Sequence, residues 1–205
     1  MDIKTLTVGP IATNCYVVST GGRTNVVIDP GFEEENIISC LDSEGKDTTH
    51  IIYTHSHWDH TGAGQAIREH TGAEVLMGRN RADKAVDTAQ NLASMMGIET
   101  SPAVPDRFLS DGDKIKSGDA EFTVAETPGH SPEGITIFCK DAIFCGDTIF
   151  FGSIGRTDLP GGDYETLIKS IKEKIFTADE NCKLYPGHGP ATAVGREKNN
   201  NPYFQ

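Results

Sequence analysis

The chain has 205 residues, of which 30 are acidic and 18 basic, for a formal charge of −12. Its lysines and arginines are scattered rather than striped, which argues against a nucleic-acid substrate, although acidity alone also serves solubility. No apolar run approaches the roughly 20 residues of a membrane span.

The start, Met1-Asp2-Ile3-Lys4, lacks the basic and apolar regions of a signal peptide. Five cysteines (Cys15, Cys40, Cys139, Cys145, Cys182) are odd in number and show no C-x-x-C spacing. A thiol-reducing cytoplasm is the expected location. The length suits one domain over 1–205.

Short β-type runs open the chain at Ile3–Val8, Cys15–Ser19 and Asn25–Asp29, separated by Gly-Pro and Gly-Gly punctuation. Glu33–Ser43 has helical spacing in Ile37, Ile38 and Leu41. Ile51-Ile52-Tyr53 is a short buried strand, His60–His70 reads as helix, and Glu74–Met77 as strand. A long helical stretch is expected from Arg79 to about Met96, followed by a turn-like Gly97–Pro105 with two prolines. Strands follow at Glu121–Glu126, Gly134–Cys139 and Ala142–Cys145, then an amphipathic helix at Tyr164–Phe176 with Leu167, Ile168, Ile171 and Ile175 on one face. Lys183-Leu184-Tyr185 is the final strand. Two similar mixed halves suggest two sheets packed face to face with helices outside, a layered α/β arrangement.

Four separated places share one property: a metal-ligand residue just after an apolar run, flanked by small or turn-forming residues. They are Thr54-His55-Ser56-His57-Trp58-Asp59-His60, Pro128-Gly129-His130, Gly146-Asp147 and Gly187-His188. Histidine is the commonest metal ligand near neutral pH, and four ligand-type side chains within His55–His60 would repel one another without a cation between them. Sheet ends hold such ligands while small neighbours let the backbone approach an ion. His50 and His70 lie outside the pattern and read as ordinary surface or core histidines.

These motifs resemble the metallo-β-lactamase superfamily, whose H-x-H-x-D-H signature stands here as His55-Ser56-His57-Trp58-Asp59-His60, followed in order by His130, Asp147 and His188. The resemblance implies an αββα four-layer sandwich of two mixed β-sheets with outer helices. It implies one metal on His55, His57 and His130, a second on Asp59, His60 and His188, and Asp147 bridging the two. Two divalent ions, zinc in the first instance with iron or manganese as alternatives, outweigh Asp59, Asp147 and a bridging hydroxide by roughly one charge. Such a centre favours attack on an ester, thioester or amide carbonyl, with Asp59 also orienting the hydroxide.

Gly146–Gly162, which includes Ser153-Ile154-Gly155-Arg156-Thr157-Asp158, is similar to short bacterial hydrolases related to glyoxalase II. These cleave thioesters such as S-lactoylglutathione. A small-molecule thioester is therefore the expected substrate, with Arg156 and Ser153 as substrate-binding residues. Only a short segment follows His188, so the glutathione-binding helical domain of full-length glyoxalase II is not expected. A carboxylate at position 147 argues against the antibiotic-hydrolysing branch.

The Gly-Arg-Thr-Asp segment also resembles persulfide dioxygenases, which would hold one ferrous ion on His55, His130 and Asp147. A non-catalytic metal-binding protein is a further alternative, marked by a damaged or closed ligand set. Arg156 either binds a substrate carboxylate or pins its loop by pairing with Asp158. Leu92, Met95 and Met96 either line a lid or pack in the core. Cys145, in an apolar strand, reads as a buried structural thiol. The oligomeric state is not legible.

Overall fold

The computed structural model describes residues 1–80 and 91–205. The first sheet has six strands in chain order: β1 (Asp2–Val8), β2 (Thr13–Ser19), β3 (Thr24–Ile28), β4 (Asp47–Tyr53), β5 (Glu74–Gly78) and β6 (Arg107–Leu109). β1 to β3 are antiparallel and β3 to β6 parallel. The second sheet contains β7 (Lys114–Ser117), β8 (Ala120–Glu126), β9 (Ile135–Cys139), β10 (Ala142–Gly146), β13 (Lys183–Pro186) and β14 (Thr192–Ala193), in the order β14-β13-β10-β9-β8-β7. Only β10 and β13 run parallel in it. A small hairpin, β11 (Ile149–Phe150) with β12 (Ser153–Ile154), lies between them in sequence.

The continuous apolar runs of β3 and β4 are explained by burial of both faces. Val26, Ile28 and Ile52 enter the core between the sheets with Phe122, Ile137 and Phe144 of the facing sheet. Their neighbours Val27, Ile51 and Tyr53 point outward onto α1 (Glu34–Glu44) and α3 (Gly64–Thr71) through Ile37, Leu41 and Ile67. On the far side, Ile143 and Leu184 are covered by Leu167 of α5 (Tyr164–Ser170) and by Ile171 and Ile175. Helices thus cover both outer faces, and the expected αββα sandwich is the observed architecture.

Some element boundaries differ from expectation. The His60–His70 helix is two pieces, α2 (Trp58–Thr61) and α3, because the chain turns at Gly62 and Ala63. That turn is wedged against the end of β3. A Cβ on Gly62 would lie 2.5 Å from the Gly31 carbonyl oxygen, and one on Gly31 would lie 1.8 Å from that of Asp59. Tyr164–Phe176 is α5 followed by a π turn at Ile171–Ile175, which keeps Leu167, Ile171 and Ile175 buried. Of the helix expected over Arg79–Met96, α4 (Ala93–Met96) is observed, and 81–90 lie outside the described residues. A last helix, α6 (Val194–Asn200), follows β14.

Candidate metal centre

The connections after β4, β8, β10 and β13 bring His55, His57, Asp59, His60, His130, Asp147 and His188 together. These are the seven ligand positions that the family resemblance implies. His57 Nδ1 lies 3.0 Å from both His55 Nε2 and His130 Nε2. His60 Nε2 and His188 Nε2 lie 3.1 and 3.2 Å from Asp59 Oδ2. Asp147 spans the two trios: Oδ1 is 3.4 Å from His60 Nε2, while Oδ2 is 3.6 Å from His130 Nε2 and 3.5 Å from His188 Nε2. In His55-His57-His130 and in Asp59-His60-His188, one donor atom from each residue falls within 4.8 Å of the others.

The outer nitrogens decide which atoms face inward. His130 Nδ1 is 2.8 Å from the Arg156 carbonyl oxygen and His188 Nδ1 is 3.2 Å from that of Ile11. A carbonyl only accepts, so these Nδ1 atoms carry protons and the Nε2 atoms are the ones that face the centre. Thr54 donates its hydroxyl to Asp29 Oδ2 at 2.7 Å, which leaves its oxygen to accept from His55 Nδ1 at 3.2 Å. His60 Nδ1 lies 3.0 Å from the same Asp29 oxygen.

This donor set fits divalent cations. With Nε2 of His55 and His130 both bearing lone pairs, a single proton on His57 Nδ1 cannot satisfy both contacts. Asp147 Oδ1 and His60 Nε2 are buried without a hydrogen-bond partner, a costly arrangement that a cation relieves. Burial and the neighbouring histidines His60, His57 and His130 hold His55 well below the usual imidazole range. Burial and His130 pull His57 down to about 3, so both imidazoles are neutral at pH 7, the form a metal ligand requires.

The other trio is polarised oppositely. Burial opposes charge on His60, but Asp59, Asp147 and Asp29 outweigh it and raise its pKa well above the imidazole range. His188 is likewise pushed up to about 10, burial being overcome by hydrogen bonds to Asp147 and Asp59. Burial also penalises the Asp59 and Asp147 carboxylates, yet His60 and the bonds from His188 keep both well below the usual range. A cation entering this trio would have to displace the protons that these carboxylates hold on His60 and His188.

Three residues that hold the centre were not singled out from sequence. Asp29, only 1% exposed and at φ 53°, accepts from Thr54 N at 2.7 Å as well as from the Thr54 hydroxyl. Buried Glu133 accepts from Ser56 N and Oγ at 3.1 and 2.6 Å, fixing the loop between His55 and His57. Thr13 donates its hydroxyl to Asp59 Oδ2 at 2.8 Å. The available signal was an acidic residue beside a glycine-containing turn at a strand boundary, after β3 in Asp29-Pro30-Gly31 and before β9 in Glu133-Gly134, but neither position names its partner.

A cavity of about 410 Å³ opens on the centre, touching His57, Asp59, His130, Asp147 and His188. Trp58 and Leu92 are buried in its wall, whereas Met95 and Met96 are exposed along it. Arg156 reaches the cavity, but its Nε and Nη2 donate to Asp158 at 2.7 and 2.8 Å. The structure does not bring Ser153 there. The β11–β12 hairpin turns it toward the C-terminal segment, where its carbonyl accepts from Asn201. Cys145 is buried, with its thiol pushed up by burial and directed at the Ile149 carbonyl, 3.4 Å away. His50 and His70 sit elsewhere, facing Glu74 and Asp42.

Residues 8–188 match the metallo-beta-lactamase superfamily family model. The hydroxyacylglutathione hydrolase GloC of Haemophilus influenzae is 35% identical over 209 residues, covering 100% of this chain and 98% of that protein. Among solved structures, the BLEG-1 B3 metallo-beta-lactamase superposes with a TM-score of 0.95 at 36% identity and 100% coverage of both chains. TTHA1623, solved in a di-iron-bound form, gives 0.87 at 33% identity, covering 98% of this chain and 99% of that one.

Proposed function

Because the chain belongs to the metallo-β-lactamase superfamily, we propose that it is a metal-dependent hydrolase that cleaves small-molecule thioesters, with S-lactoylglutathione as the reference substrate. The observation that carries this reading is the pair of donor trios spanned by Asp147, both facing one open cavity. His55, His57 and His130 would hold one divalent ion and Asp59, His60 and His188 the other. When bound, such ions supply Lewis acidity and lower the pKa of water to about 7.

The chain's own residues set the geometry of attack. Thr13 donates its hydroxyl to Asp59 Oδ2, which leaves Oδ1 to accept a proton from the attacking water. The water oxygen bonds to the thioester carbon, the C–S bond breaks, and the departing thiolate takes up a proton to give an acid and a thiol. Trp58 and Leu92 close one wall and limit entry of bulk water. The open cavity argues against a purely structural metal site, in which the coordination sphere is closed.

Two other reactions suit the same centre. The likeness to a B3 metallo-beta-lactamase favours β-lactam amides as a second carbonyl substrate. A mononuclear iron on His55, His130 and Asp147 would favour persulfide oxygenation. Metal analysis of protein purified without added metal, paired with three assays, decides among them. Two equivalents of metal with S-lactoylglutathione cleavage is the expected result. One iron with oxygen uptake on glutathione persulfide, or turnover of a β-lactam alone, would overturn the thioesterase reading.

A further inference from the structure

The cavity over the centre has an apolar wall whose exposure folding alone does not require. Ile11, Met95 and Met96 are 46%, 65% and 59% exposed, and all three border this one cavity. Large apolar side chains gathered at a concave mouth mark a ligand surface rather than a packing residue. Ile11 is held there by the site itself. It lies in a tight turn in which Ala12 N donates to the Gly9 carbonyl and Ala12 has φ 58°, and its own carbonyl accepts from His188 Nδ1. Phe150 and Leu159 extend the same wall.

Charge points the same way. Arg156 is the one lysine or arginine among the described lining residues, and the Asp158 carboxylate already occupies two of its donors. The chain as a whole carries −12. A substrate arm bearing free carboxylates meets no unpaired cation among the described lining residues and is disfavoured by the chain's net negative charge.

Resting on the hydrolase reading above, we propose that the substrate's non-reacting arm is apolar and uncharged, and that it packs between Ile11 and the Met95–Met96 edge. A medium-chain acyl thioester of a neutral thiol has this chemistry. Methionine's flexible thioether suits a chain of variable length, so the preference should grow with length rather than select one shape.

Two thioester series test it on the metal-loaded protein. In the first, N-acetylcysteamine is the thiol and the acyl group lengthens from acetyl to hexanoyl. In the second, the acyl group is lactoyl and the thiol is glutathione or N-acetylcysteamine. The expected results are a rise in kcat/KM of about fourfold per added methylene, and at least about tenfold faster cleavage of the neutral lactoyl thioester. A flat acyl series, or glutathione thioester cleaved as fast as the neutral one, overturns the apolar-arm proposal while leaving the hydrolase reading intact.

Binding gives a readout independent of turnover. Trp58 is the single tryptophan and lines the cavity, so its fluorescence reports occupancy by the uncleavable thioether N-acetyl-S-hexylcysteamine, compared with S-methylglutathione. Tighter binding of the hexyl thioether supports the proposal even where no thioester is cleaved, a result that would sink only the hydrolase reading. Equal or weaker binding overturns it. Met95→Lys, at an exposed position, should weaken the hexyl thioether by about tenfold with metal content unchanged; unchanged affinity would count against the assigned wall.

Discussion

Asp29→Asn isolates what the buried carboxylate contributes. Asparagine tolerates the left-handed backbone at φ 53°, so the substitution leaves the turn after β3 unstrained and changes only the bonding. The remaining carbonyl oxygen still accepts from Thr54 N. The new NH₂ group, however, faces the Thr54 hydroxyl and His60 Nδ1, which now both bond Oδ2 at 2.7 and 3.0 Å. Hydrogen bonds to a charged group contribute roughly 1.5–3 kcal/mol each, and the Thr54 hydroxyl recovers part of the loss by turning to accept. The metal-free protein should therefore lose about 2–4 kcal/mol, which at a urea dependence of about 2 kcal/mol/M lowers the unfolding midpoint by roughly 1–2 M. His60 loses its orienting acceptor and should bind metal about 10–100-fold more weakly. Urea unfolding of the metal-free protein and competition against a chromophoric chelator measure the two effects. An unchanged midpoint together with unchanged affinity would refute the role assigned to Asp29.

Gly187→Ala places a methyl group 2.1 Å from Asp147 Oδ1 and 2.6 Å from His60 Cε1. It should cost about 1–3 kcal/mol and displace one equivalent of metal; full metal content by elemental analysis would contradict this. His57→Ala removes the donor shared by His55 and His130 and should lower hydrolysis at least about a hundredfold in a protein with unaltered circular dichroism. Full retained turnover would mean that the chemistry does not need His57. Fully buried Glu197 accepts from Thr192, Gly152 N and Asn201. Burial works against its ionisation, but the bonds from Thr192, Gly152, Arg196 and Asn201 prevail and lower its pKa from 4.5. Its folded-state pKa being depressed, it stabilises the protein above about pH 4.5, and that contribution fades as pH falls through the folded value. Glu197→Gln should flatten the acid limb of a stability-versus-pH curve, and an unaltered limb would show that Glu197 contributes nothing there.

The ligand cluster and the layered sandwich were legible for the same reason: both are written locally. Ligand-type residues stand within a few positions of apolar strand runs, and the alternation in Val26-Val27-Ile28 and Ile51-Ile52-Tyr53 follows from two covered faces. What the sequence hides is pairing at a distance. Asp29 meets Thr54 across 25 residues, Thr13 meets Asp59 across 46, and Glu133 meets Ser56 across 77. Strands as short as β11, β12 and β14, of two residues each, exist only because a partner is present and leave no periodic trace. Ser153 shows the same limit: it pairs with Phe150, which lines the cavity, yet does not itself line it.

The start of β2 is lashed to the final loop of the site. Asn14 N donates to the Gly187 carbonyl at 2.7 Å, Asn14 Nδ2 donates to the carbonyls of Pro186 and Gly189, and the Tyr16 hydroxyl donates to that of Pro186 at 2.6 Å. The Asn14–Pro186 bond closes a loop of 172 residues. During synthesis the His55-His57-His130 trio leaves the ribosome well before His188 does. A nascent chain halted before Pro186 therefore carries every residue of the first trio but lacks His188 of the second.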